Sequence, residues 1–240
     1  MTEAAPARAW RVVLEKIEGD LLEGRLGPGD RLQPERELAT TLGVGRSSVR
    51  EALRVLEVMG LIRTATGSGP SAGAIVTATP HGGLAQLLRL QVAAKGFPIP
   101  DVYETRLLLE EWAVAELARR DAPDLAEAHA TLHAMDAASL TPEEFLALDT
   151  QFHLRLTDAA GNLVVAATMA GLRNAIEHYI RAGAERIPDW QRTAERLRRE
   201  HASVIEAIEA GDAERARAEV RAHITGYYAD AGLASPAGDH

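Results

Sequence analysis

Residues 34–61, PERELATTLGVGRSSVREALRVLEVMGL, decide how the rest of the chain is read. Leu38, Ala39 and Leu42 share one face of a helix, and Gly43-Val44-Gly45 interrupts that pattern. A second helix is predicted from Arg46, with Val49, Ala52, Leu53 and Leu56 returning at three- and four-residue intervals along one side. Arg46, Arg50 and Arg54 repeat every four residues on another side, so a cationic stripe is backed by an apolar one. Ser47 and Ser48 fall in the first turn, where free backbone N–H groups and short hydroxyls can meet phosphate oxygens or base edges. Two helices joined by a short glycine-containing turn are what a helix-turn-helix unit requires. An arginine stripe alone is also the ordinary face of a solvated helix, and the flanking sequence separates the two readings.

On the C-terminal side, Leu61–Ala65 reads as a strand, followed by a glycine-rich tip (Gly67, Ser68, Gly69, Pro70, Gly73) and a returning strand, Ala74–Thr77. Such a tip has no bulky side chain, so its backbone can approach a sugar-phosphate strand closely. The hairpin is therefore read as a wing. On the N-terminal side, a helix from Pro6 to about Glu23 carries Trp10, Val13, Leu14, Ile17 and Leu21 on one face, and Gly27-Pro28-Gly29 marks a turn before the central pair.

The stretch ERELATTLGVGRSSVREALRVLEVMGLI resembles the N-terminal domain of GntR-superfamily regulators, in its acidic-Arg-acidic-Leu-Ala start, its Gly-Val-x-Arg turn and its Val-Arg-Glu-Ala-Leu helix. The resemblance implies DNA contacts from Arg36, Arg46 and Arg50, with smaller ones from Ser47, Ser48 and the wing residue Gly67. Gly45 stands where the family usually has Ser or Thr, and Pro34 where it usually has a Ser cap.

At 240 residues the chain suits two domains. A net charge of -9 argues against a DNA binder until it is divided along the chain. Residues 1–79 hold ten basic and ten acidic side chains, and the remaining 16 and 25 lie in residues 80–240. The acidity thus belongs to the second part, while the helix from Arg46 to Leu56 sets three arginines against Glu51 alone. There is no cysteine, hence no disulfide or thiolate metal site, and no apolar run approaches the ~18 residues of a membrane span. A soluble, cytoplasmic protein is expected.

Thr79-Pro80-His81-Gly82-Gly83 is the clearest break and the expected domain boundary. The expected organisation is a winged helix-turn-helix domain over 1–79, a linker with a helix near Leu84 to Ala94 over 80–98, an all-α domain over 99–232, and a frayed tail over 233–240. The fold class is mainly α, the second domain being an antiparallel helix bundle with helices near 101–121, 124–138, 142–160, 162–184, 190–210 and 212–231. Thr141-Pro142-Glu143-Glu144 supplies an N-cap with Pro in the first helical position.

The chemistry of this bundle is sought where polar residues interrupt apolar stripes. Asp149 and His153 flank Phe145, Leu148, Phe152 and Leu156. His201 interrupts Leu197, Val204, Ile205 and Ile208, and His223 interrupts Ala216, Val220, Ile224 and Tyr227. One carboxylate and three imidazoles suit Zn²⁺, Ni²⁺, Mn²⁺ or Fe²⁺, and bundle interiors are where such sites are built. A single histidine on an apolar face is more often a hydrogen-bonded core residue, so it is the set of four that argues for metal. His129 and His133, also four apart, have nothing converging on them and are read as surface; His81 and His178 have no constellation. Arg106 falls within the stripe of Val102, Leu109, Ala113 and Leu117. If buried it needs an anion, either Glu110 or a ligand carboxylate.

The second half is similar to the FadR-type effector domain of GntR regulators, the FCD domain, in Glu104, Arg106 and Glu110, then LDTQFH (Asp149, His153), EHASVIEAIEAGD (His201) and RAHI (His223). That resemblance implies a divalent cation on Asp149, His153, His201 and His223, with Arg106 holding a carboxylate effector. Asn174 and Tyr179 are further candidates for the pocket. The implied protein is not an enzyme but a homodimeric, ligand-responsive repressor of a metabolic operon, binding a double-stranded operator and a small organic acid. The alternative from another class is a metal-dependent enzyme using the Asp and three His to activate water.

Overall fold

The computed structural model of the chain describes residues 6–65, 73–78, 80–137 and 139–233. Within them lie ten α-helices and one two-stranded antiparallel sheet. The expected strip at the wing tip, including Gly67, and the expected tail after Leu233 lie outside the described residues.

The chain divides into two compact units between Leu84 and Ala85. The first contains α1 (Pro6–Leu22), α2 (Glu35–Leu42), α3 (Arg46–Val58), β1 (Ile62–Ala65) and β2 (Gly73–Val76). Gly43 ends α2 with φ 64°, a left-handed conformation that costs glycine little, and this lets α3 start three residues later. Neither α2 nor α3 has a side-chain N-cap, since Pro34 and Gly45 occupy those positions. Val13 and Ile17 of α1 meet Leu38, Val49, Ala52, Leu53 and Leu56 in one apolar core, closed from the sheet side by Ile62, Ala74 and Val76. The sheet pairs Ile62 with Val76 and Ala65 with Gly73. The segment before α2 also runs along β2, with Leu32 N–H donating to Ala74 O at 2.9 Å and Val76 N–H to Asp30 O at 2.9 Å. That third edge is too short to leave a periodic signal in the sequence.

Helix α4 (Pro80–Ala93) starts earlier than the sequence suggested, and the division of the chain falls inside it. Gly82-Gly83 does not break the helix. A Cβ on Gly83 would lie 2.4 Å from the Met59 carbonyl oxygen, so glycine here serves close approach rather than a turn.

The second unit holds α5 (Ile99–Ala118), α6 (Ala126–Met135), α7 (Pro142–Ala159), α8 (Leu163–Ala184), α9 (Trp190–Glu209) and α10 (Ala213–Asp230). Their apolar stripes form a single core around Phe145, Phe152, Leu117, Leu197, Ile176 and Ile224. Four of these helix starts, those of α7 to α10, are capped by side chains. Thr141 and Glu144 form a reciprocal capping box, and Asn162, Asp189 and Asp212 each accept from backbone N–H groups of the following turn. No described helix is long and apolar enough to cross a membrane.

Candidate functional site

Two sites follow from this architecture, one on the surface of the first unit and one inside the second. On α3, the apolar stripe Val49, Ala52, Leu53 and Leu56 is buried, which turns Arg46, Ser47, Arg50 and Arg54 outward. Arg36 of α2 is exposed as well. Ser48 differs from its neighbour: it is buried, and its N–H donates to Gly45 O at 3.0 Å. Arg50 is not idle in this face, because its Nε donates to Glu35 Oε2 at 2.8 Å.

Inside the second unit, α5, α7, α8, α9 and α10 each turn polar side chains into the core. Asp149, His153, His201 and His223 bring one ligand atom each within 4.8 Å of one another, and all four are buried. His223 Nε2 lies 3.1 Å from His153 Nε2 and 3.2 Å from His201 Nε2. Asp149 Oδ1 stands 3.1 Å from His201 Nε2, 3.5 Å from His223 Nε2 and 3.6 Å from His153 Nε2. Ligands about 2.1 Å from a common centre are separated by roughly 3.0–3.4 Å in octahedral or tetrahedral arrangements; three of these spacings fall in that range and the other two exceed it slightly, so the four groups are close enough to share a divalent cation.

The outer nitrogens carry the stronger argument. His223 Nδ1 is 2.9 Å from Glu200 Oε2, and His153 Nδ1 sits against Glu110 Oε2. A carboxylate hydrogen-bonded at His223 Nδ1 draws the proton there and leaves the Nε2 lone pair free to face the common centre. His201 Nδ1 is buried without a hydrogen-bond partner.

Around the cluster is a buried ionic network. Glu110 Oε1 accepts from Arg106 Nε at 2.5 Å and from Arg173 at 3.3 Å, and a second Arg173 nitrogen donates to Asp149 Oδ2 at 3.1 Å. Arg106 and Arg173 are 3% and 1% exposed, which makes each charge dependent on these partners. Burial pushes Glu110 up, but Arg106, His153 and Arg173 outweigh it and hold the carboxyl well below the usual range. Burial likewise opposes ionisation of Asp149, and the neighbouring His153, with His201 and His223, outweighs it and holds this carboxyl well below the usual range. Burial, with His223 beside it, pushes His201 down to about 3 and so keeps it neutral. The arrangement offers three imidazoles, two buried ionised carboxylates (Asp149 and Glu110) and two fixed cations.

The four residues expected to bind metal therefore converge, and Arg106 lies in the same network through Glu110. Arg106 is paired internally, which was one of the two partners its position allowed. Asn174 does not join them: it is exposed and lines a surface groove with Arg89, Glu177 and Arg181, and Tyr179 lines the same groove. Glu104 is exposed too. His129 is exposed, 2.9 Å from Glu209, and His133 is exposed.

Two functional residues escaped the sequence reading. Arg173 followed by Glu177 looks like an exposed pair four residues apart, but Glu177 pairs with Arg181 instead and Arg173 turns inward. The available signal was its place in the stripe Met169, Arg173, Ile176, Ile180, all buried. Glu200 precedes His201 and is not on the apolar face of α9, so only the fold brings it to His223.

Comparison with known proteins agrees with both halves. Residues 11–70 match the model of the gntR family of bacterial regulatory proteins, and residues 101–226 match the FCD domain. The chain is 31% identical over 208 residues to the HTH-type transcriptional regulator LutR of Bacillus subtilis, covering 84% of this chain and 91% of that one. It is 28% identical over 203 residues to the Glc operon transcriptional activator of Escherichia coli, covering 82% and 78%. The solved structure of a Streptococcus agalactiae GntR protein, 23% identical, shares the fold with a TM-score of 0.55 over 92% of this chain and 98% of that one. These relatives are regulators and not enzymes, so the hydrolytic alternative is not favoured. A recognition helix in the first unit, an FCD domain in the second and this kinship together identify the chain as a transcriptional regulator of the gntR family, in the branch that carries an FCD domain.

Proposed function

We propose that this regulator represses a metabolic operon and releases its operator when a small carboxylate enters the buried cluster of the second unit. The observation that carries this reading is the convergence of Asp149, His153, His201 and His223 beside two buried arginines. A divalent cation held there (Zn, Ni, Mn or Fe) would supply a Lewis-acidic anchor for a carboxylate oxygen. Arg106 is the residue for the other oxygen. Its present anion, Glu110, is shared with Arg173, so an incoming carboxylate can replace one contact without leaving either cation bare.

The DNA-reading half of the proposal rests on α3. Arg46 and Arg50 face outward and are suited to guanine edges, Arg36 and Ser47 to the backbone, and Gly67 to a wing contact. Ser48, being buried, would contribute through its position in the first turn and not through a free hydroxyl. Two copies would place their α3 helices in successive major grooves roughly 34 Å apart, so the working form is a homodimer in the cytoplasm. Effector and operator are coupled if the effector favours a dimer geometry that cannot span both half-sites, a coupling of roughly 1–3 kcal/mol in ordinary cases.

The test is the metal content of the purified protein, followed by a thermal-shift screen of small carboxylates with and without chelator. The expected outcome is stabilisation by one acid that needs the metal, is lost in Arg106→Ala, and weakens operator binding. An acid that binds tightly and leaves operator affinity unchanged would overturn the regulatory reading.

A further inference from the structure

The groove between α3 and the hairpin is lined by Arg31, Glu35, Arg50, Arg54, Glu57 and Thr64. Two acids on a surface meant for a polyanion call for an explanation, and each is tied down differently. Glu57 is turned toward the hairpin, accepting from Thr64 N–H at 2.8 Å and Thr64 Oγ1 at 2.6 Å, which holds its pKa down. Glu35 is bound to Arg50, and the atom it takes is Nε.

That choice of atom matters. A guanidinium has one Nε–H on its side and two terminal nitrogens at its end. With Nε occupied by Glu35, the two terminal nitrogens are the donor edge left for another partner, and a pair of such donors suits O6 and N7 of guanine. The pair spans two helices: Glu35 is the first residue of α2, and Arg50 lies in the second turn of α3. An otherwise mobile side chain is thereby fixed before any DNA arrives. As a contribution to folding the pair is minor, because the side chains are 61% and 39% exposed.

We infer that Glu35 is a positioning residue for sequence discrimination: it lowers affinity for DNA in general by its charge and raises selectivity by aiming Arg50 end-on at a guanine. The inference rests on Arg50 being a base-reading residue, as proposed above.

The experiment uses the full-length protein. A duplex is selected from a random-sequence pool by the unaltered protein, and Kd is measured for it and for a scrambled duplex of equal composition. Four variants are compared with the parent: Glu35→Gln, Glu35→Asp, Arg50→Ala and the double variant Glu35→Gln/Arg50→Ala. Glu35→Gln is expected to bind the scrambled duplex two- to three-fold more tightly, while the ratio between selected and scrambled duplex falls about tenfold. Glu35→Asp keeps the charge but shortens the reach, so the ratio falls with no gain on scrambled DNA. In the Arg50→Ala background, Glu35→Gln leaves the ratio unchanged. A ratio in Glu35→Gln equal to or above the parent's would overturn the inference, showing that Glu35 only competes with DNA for Arg50. A parental ratio in Arg50→Ala would remove the base-reading role of Arg50 and the inference with it, whereas loss of the ratio in Arg50→Ala with no effect of Glu35 would leave that role standing alone.

Discussion

Both units use an arginine held by a glutamate, and the two pairs behave differently because of where they sit. Arg50–Glu35 is at the surface of the first unit, with side-chain exposures of 61% and 39%. Arg106–Glu110 is inside the second, with exposures of 3% and 2%. In water the attraction between such groups is weak and easily exchanged for another anion. In the interior each charge has lost its hydration and depends on its neighbours. The surface pair therefore leaves Arg50 within reach of DNA while Glu35 holds its Nε, and the buried network holds a fixed geometry that a ligand must join.

The same substitution in both places measures the difference. Glu110→Gln removes the anion shared by Arg106 and Arg173 and the carboxylate at His153 Nδ1. Breaking a buried pair in this way costs about 3–5 kcal/mol, and urea denaturation should show a loss of that order for the second unit. A loss under about 1 kcal/mol would mean that the interior is wetter than its burial implies.

Removing the proposed metal should come next in size. At a concentration a hundred times its Kd, a bound cation stabilises the folded protein by about 2.7 kcal/mol, or roughly 5–10 °C in Tm for a unit of this size. A chelator should lower Tm accordingly, and His223→Ala should contain no metal and ignore the chelator. Equal Tm with and without chelator, in protein that lacks metal as purified, would make the three histidines ordinary core residues.

How much of this was legible in the sequence also divides between the regions. At the surface, the 3.6-residue period alone separated Arg46, Arg50 and Arg54 from Val49, Ala52 and Leu53, because one helix settles which side is which. Ser48 shows the limit, since its burial depends on the packing of α3 against the rest of its unit and not on its polarity. In the bundle, Asp149, His153, His201 and His223 were visible as interruptions of apolar stripes. Arg173 was hidden because it had an apparent surface partner at the right spacing, and Glu200 because its role depends on a neighbouring helix. Asn174 was placed toward the pocket on helix membership alone, without a stripe to orient it, and it is exposed.

Acidification of chelated protein probes the interior more gently. His201 is pushed down by burial, with His223 adding to the effect, to about 3 from an ordinary 6.5. Between these values the unfolded chain binds a proton that the folded one refuses, so stability falls as pH drops below 6.5. His153 is lowered as well, by burial and Arg173, and acts in the same sense. His223 is pushed down by burial, but hydrogen bonds to Asp149 and Glu200 outweigh this and raise it. Its contribution is present below 6.5 and is lost as pH rises, so it does not mask the acid-side loss. Melting curves between pH 6.5 and 5.5 should decline by up to about 1.4 kcal/mol for each such proton, and His201→Gln should flatten the slope. A slope unchanged in that variant would assign the acid sensitivity elsewhere.

Glu35→Gln should have the smallest effect on stability, and its smallness is what gives the comparison its meaning. The substitution removes the same carboxylate charge from the same kind of partner as Glu110→Gln does. At the surface, Arg50 keeps its hydration when the anion is lost, and the Nε–H finds water instead of an apolar wall. The first unit's urea midpoint should therefore move by no more than the equivalent of about 0.5 kcal/mol. A larger shift would mean that Glu35 anchors α2 on α3, and any change in DNA selectivity in this variant would then follow from a displaced helix. A shift within that bound leaves the core of Val49, Leu53 and Leu38 to hold the two helices together, and the surface pair free to act on DNA alone.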